Sequence, residues 1–169
     1  MGFFIFKKTV KYHKLSEAQF NEMHKEFAVF LATQSITKKD WNIIKSDKPE
    51  LLDNYFNSFS DLVWDKILSD CKYLEYSNSD QLYLFHTKKR LIDVLILKID
   101  PNLADLNTSN GFKKVLNSLQ SDQIDIFKSS KTYTPSRNVF IYNYLKKGAM
   151  ISKGKRYELL KSYFLNSSK

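Results

Sequence analysis

The sequence predicts an α+β fold. It reads as a predominantly helical single domain over residues 1–169, with one antiparallel β-hairpin at about 81–99 and a basic C-terminal helical pair. Three observations carry this prediction. Apolar residues recur at helical steps through most of the chain. The pattern shifts to β-branched and aromatic runs between Gln81 and Ile99. Residues 126–169 combine two amphipathic stripes with ten Lys and Arg against one acid, Glu158. A chain of 169 residues with 43% hydrophobic and 15% aromatic residues has the means to build one core, and four Gly and three Pro leave little material for linkers.

Residues 3–12 mix aromatic, β-branched and lysine residues closely enough to form a short strand joining the hairpin. Ser16 is an N-cap followed by Glu17, and Phe20, Met23, Phe27, Phe30 and Leu31 mark one face of a helix that ends near Gln34. Thr37 caps a short second helix through Trp41 and Ile44. Pro49 disfavours helix at Lys48 but suits the first turn of a third helix. Leu52, Tyr55, Phe56 and Phe59 line that helix, and Ser60-Asp61 reads as a fresh cap. The runs QLYLFHT (Gln81 to Thr87) and LIDVLILKI (Leu91 to Ile99) flank Lys88-Lys89-Arg90, with no residue pair that forms a two-residue primed turn. The second run is apolar at both parities, as a central strand covered by helices requires. Phe112, Val115, Leu116 and Leu119 mark a helix after Asn110-Gly111, and Ile124, Ile126 and Phe127 a further short one. After Thr134-Pro135-Ser136 come helices from about Arg137 to Lys147, closed by Gly148, and from about Lys155 to Leu165. The segment 126–169 is expected to pack on the rest of the domain.

Within the first 100 residues, the words FLATQSI (Phe30 to Ile36), DWNIIK with the following KPE (Asp40 to Glu50), FSDLVW (Phe59 to Trp64) and LFH (Leu84 to His86) carry a resemblance. They resemble a family of small bacterial proteins classed only as a domain of unknown function, relative to whose usual start MGFFIFKKTV looks like an extension. The resemblance implies a bacterial, cytoplasmic origin and one compact domain, and nothing about activity.

Most chemistry is excluded by spacing. His13, His24, His86 and Cys71 are scattered without the short spacings that fix a metal, so no metal site and no cofactor are expected. A Cys71–His86 nucleophilic pair competes with the simpler reading of a buried thiol. Glu22/Glu26 and Asp61/Asp65 share helical faces, a spacing common on solvated helices. Asp93 and Lys98 lack the second acid a nuclease element needs, because Ile96 stands in its place. Gly148 to Arg156 fails as a phosphate loop, with five residues between its glycines and Arg156 where Ser or Thr belongs. No catalytic motif remains, and the expectation is a binding protein, not an enzyme. No apolar run is long enough to span a bilayer, and a lone cysteine fits a cytoplasmic location.

Charge points to a partner. The chain carries net charge +9, yet residues 15–125 are slightly acidic and the excess sits at the two ends. Clustered cations make a local field that scattered ones do not. The expected partner is therefore RNA or a ribonucleoprotein such as a ribosomal surface. Lys146, Lys147, Lys153, Lys155, Arg156 and Lys161 are its candidate phosphate contacts, with Arg137 and the turn Lys88-Lys89-Arg90 outlying. The alternative is a protein-interaction adaptor with no nucleic-acid role. The aromatics among the cations follow helical spacing and count mainly towards folding.

Overall fold

The computed structural model describes residues 11–167, so the strand expected over residues 3–12 falls almost wholly outside the described residues. The chain divides into two compact units, Met1–Ile67 and Leu68–Lys169. No composition break announces the division, because it falls inside one continuous helix.

The first unit is helical among the described residues: α1 (Glu17–Glu22), α2 (His24–Thr33), α3 (Lys38–Asp47) and α4 (Pro49–Asp70), whose last turn counts with the second unit. Ser16 caps α1 in a reciprocal box with Gln19, and Thr37 caps α3 in the same way with Asp40. The single helix expected after Ser16 is interrupted at Met23. The His24 ring Nδ1 lies 3.0 Å from the Asn21 carbonyl, the acceptor that a continuous helix would offer to residue 25. The apolar stripe survives the interruption: Phe20 and Phe27 both pack on Phe56 and Phe59 of α4, and Phe27 also meets Trp41 edge-on. α4 runs unbroken through Ser60, which is no cap. Its hydroxyl donates to the Phe56 carbonyl one turn back and accepts the Leu15 N–H.

The second unit is a five-stranded antiparallel sheet, in the order β4-β3-β2-β1-β5, with helices on both faces. Its strands are β1 (Tyr73–Ser77), β2 (Gln81–Thr87), β3 (Leu91–Ile99), β4 (Ile124–Thr132) and β5 (Met150–Ser152); its helices are α5 (Ser109–Leu116), α6 (Arg137–Lys146) and α7 (Lys155–Ser167). The predicted hairpin is β2–β3, with Thr87 opposite Ile92. Three strands join it. One of them, β4, replaces the short helix expected at Ile124–Phe127, and at a sheet edge most of its side chains face solvent.

β3 explains why both its parities are apolar. Leu95, Leu97 and Ile99 join Leu82, Leu84 and Ile124 in a core roofed by Phe112 and Val115 of α5 and Tyr157 and Leu160 of α7. On the opposite face, Phe85 of β2 packs against Phe140 and Tyr144 of α6. Gly148 closes α6 at φ 102, the left-handed position expected of it. No helix among the described residues is long and apolar enough to cross a membrane.

Candidate nucleic-acid interface

The ten cations singled out by the sequence fall in three places. Arg137 opens α6, and its guanidinium is turned inward. Nη1 donates to the Leu68 carbonyl at 2.7 Å, Nη2 to the carbonyls of Cys71 and Thr87, and Nε to that of Lys88. Its donors therefore hold the β2–β3 turn and the end of α4, and it works as a structural clamp. Of the turn itself, Lys88 pairs with Asp93 on β3, while Lys89 and Arg90 are exposed.

Lys161, half-buried on α7, is the second place. It stands near His86 and helps to hold that imidazole's pKa below its ordinary value, behind burial and Lys88. His86 stacks on Tyr73 with centroids 4.7 Å apart and meets the edge of Tyr157 at 5.5 Å. Its Nδ1 is buried without a hydrogen-bond partner. Asp93 lies opposite His86 in the ladder and accepts from Ser130. Burial pushes the Tyr157 phenol up to about 12, with Asp93, Glu158 and Tyr73 adding to it. An unfolded tyrosine ionises near pH 10, so between about pH 10 and 12 the folded protein holds a proton that the unfolded chain has lost, and stability falls as pH rises. In Tyr157→Phe that loss is expected to be shallower, as read from urea midpoints at pH 9.5 to 11.5 compared with the parent's.

The third place is the β5 edge. Lys146 and Lys147 end α6, Lys153 follows β5, and Lys155 and Arg156 open α7. Helical spacing sets Lys146 over the Tyr142 ring at 4.9 Å and Lys147 over Tyr144 at 5.1 Å. All four lysines are exposed, and none pairs with a carboxylate among the described residues. Arg156 differs: Nε and Nη2 both bond Glu75 of β1, and the guanidinium lies 5.3 Å above the Phe112 ring. The one acid of the C-terminal segment, Glu158, is exposed and accepts from the Tyr73 hydroxyl at 2.9 Å.

A cavity of about 400 Å³ opens here, where α5 and α7 begin. Lys155 and Arg156 reach it from α7 and Lys113 from α5; Phe112, Leu116 and Leu159 supply its apolar wall. Sequence reading missed Lys113, because nothing local connects α5 with α7.

The other constellations resolve into structure. Asp61 accepts the backbone N–H groups of Lys11 and Tyr12, and Asp65 accepts from the Lys11 ammonium and the Tyr12 hydroxyl, so this pair clamps the segment before α1. Cys71 is buried, and burial raises its thiol pKa, keeping it protonated. Asp93 and Lys98, an odd number of residues apart on β3, lie on opposite faces of the sheet. No group of three or more potential metal ligands occurs among the described residues.

No curated protein and no solved structure matches the chain. A family described as being of unknown function, DUF6495, matches residues 10–164, well beyond the first 100 residues over which the resemblance was legible; the chain belongs to that family.

Proposed function

We propose that the protein binds RNA, or the RNA surface of a ribonucleoprotein, along the β5 edge of its second unit. One observation carries this reading: Lys146, Lys147, Lys153 and Lys155 are exposed along one short stretch of chain, with no carboxylate among the described residues to neutralise them. Unpaired surface cations gathered in this way gain by releasing the counterions of a phosphate backbone, which paired cations do not. Arg137 and Lys88 are excluded from the contact set by their internal partners. Arg156 belongs to it only through donors that Glu75 leaves unused. The aromatic rings beneath Lys146 and Lys147 orient those lysines and do not serve as stacking platforms.

The test is a filter-binding titration of single-stranded RNA against salt, with the four lysines changed to Gln. Each lost phosphate contact lowers the slope of log affinity against log salt by about 0.7, so the variant's slope should be shallower by about 3, with at least tenfold weaker binding at low salt. A control neutralising Lys25, Lys38, Lys39 and Lys45 of the first unit matches the change in net charge. Equal loss in both variants would reduce the effect to overall charge and overturn the reading.

The alternative, a protein-interaction adaptor, is favoured by a separate feature of the first unit. A cavity of about 440 Å³ there is lined by Phe20, Phe27, Trp41 and Phe56 and fits an apolar side chain of a partner. A complex that survives high salt and the four Lys→Gln changes would favour that reading.

A further inference from the structure

We infer that the cavity between the starts of α5 and α7 is a pocket for a nucleoside phosphate monoester, either a free nucleotide or the terminal phosphate of an RNA strand. This deepens the RNA-binding reading and rests on it for the second of those sources. Three cations from two helices converge on one cavity: Lys113, Lys155 and Arg156. A phosphodiester carries about one negative charge and a monoester close to two at neutral pH, so convergent cations favour the monoester.

Arg156 is the organised member. Its side chain is 26% exposed and that of Glu75 only 10%, so the pair is held in place, and Phe112 supports the guanidinium face. Glu75 takes up Nε and Nη2, which leaves the Nη1 donors unused by that carboxylate on a residue that lines the cavity. Asp105, the acid just before α5, has its Oδ1 occupied by the Asn107 N–H at 2.9 Å. The rest of the lining is Asn107, Thr108 and Ser109 on one side and three apolar residues on the other. Phe112, Leu116 and Leu159 offer a wall on which a base or ribose can lie, and about 400 Å³ is at the small end of ligand cavities, the size of a mononucleotide. Leu159, 45% exposed, is an apolar residue at the surface that a bound base would cover.

The experiment titrates the full chain with adenosine 5′-monophosphate, with adenosine and with inorganic phosphate by calorimetry. The expected result is at least tenfold tighter binding of the monophosphate than of either part alone. K113Q/K155Q, which spares the Arg156–Glu75 pair, should weaken the monophosphate at least tenfold. L159S should weaken the monophosphate and leave inorganic phosphate unchanged. Equal affinity for monophosphate and adenosine, or no binding of either, overturns the proposal. Short RNAs bearing a 5′-phosphate or a 5′-hydroxyl separate the two sources: a preference for the phosphate assigns the pocket to strand ends, and monophosphate binding without that preference assigns it to the free nucleotide. RNA binding without monophosphate binding removes the pocket and keeps the RNA-binding reading; the reverse keeps the pocket alone.

Discussion

Arg137→Ala should lower the unfolding free energy by about 3 kcal/mol, a large effect for one side chain that is neither apolar nor fully buried. The guanidinium donates to the carbonyls of Leu68, Cys71, Thr87 and Lys88, which belong to two separate stretches of chain, the end of α4 and the β2–β3 turn. A hydrogen bond to a charged donor contributes roughly 1.5 to 3 kcal/mol, and four such bonds do not add, because the acceptors have other partners. The Cys71 carbonyl also accepts from the Thr87 hydroxyl, and the Lys88 carbonyl from Tyr133. Lysine in its place carries the charge but not the planar fork, and should recover only about 1 kcal/mol. Urea denaturation measures both variants. A midpoint for Arg137→Ala equal to the parent's would show that the clamp contributes nothing. Held well below its midpoint, the same variant should bind RNA within twofold of the parent, since a residue spent on internal carbonyls has no donors left for phosphate.

Arg137 also shows what the sequence conceals. An arginine that opens a helix in a segment otherwise rich in lysine has the same local signature whether it faces solvent or four carbonyls. The difference lies in residues 49 to 69 positions away, which periodicity does not reach. Elements held by their own pattern were legible. The β2–β3 hairpin carries its apolar run, α6 its Gly148, and α1 and α3 their capping serine and threonine. The missed strands are those whose register depends on a neighbour. β1 is five residues, β5 is three, and β4 is an edge strand whose Ile124, Ile126 and Phe127 fit a helical turn as readily as a strand. The candidate site divides in the same way. Lys155 and Arg156 were visible as part of a charged run, while Lys113 and Glu75, which turn that run into a cavity and a held guanidinium, come from elements brought there only by the sheet.

Gly111→Ala should cost about 3 kcal/mol, opposite in sign to the roughly 1 kcal/mol that alanine usually gains over glycine inside a helix. A Cβ at this position would stand 1.9 Å from the Asp105 carbonyl oxygen and 2.6 Å from its carbon. Backbone cannot move aside as a flexible side chain can. That carbonyl is itself fixed, accepting the Thr108 N–H at 3.1 Å and the Thr108 hydroxyl at 2.9 Å, while Thr108 Oγ1 accepts the Gly111 N–H and so caps α5. Room for one methyl group therefore requires the 105–108 turn to shift and the cap to open. A lost cap costs about 1 kcal/mol, and forcing a close-packed site apart roughly 1 to 3 more. Leu106, fully buried in the core beside Phe112 and Val115, lies inside the turn that must move, so the disturbance reaches the sheet. For a chain of this size the loss corresponds to a melting temperature lower by roughly 6 to 12 °C. The same turn borders the α5–α7 cavity, and Gly111→Ala should weaken adenosine monophosphate at temperatures where the variant is still folded, although residue 111 is not part of the cavity lining. A melting temperature within 2 °C of the parent's would mean that the turn yields freely and would refute the assignment of Gly111 as the residue that sets it.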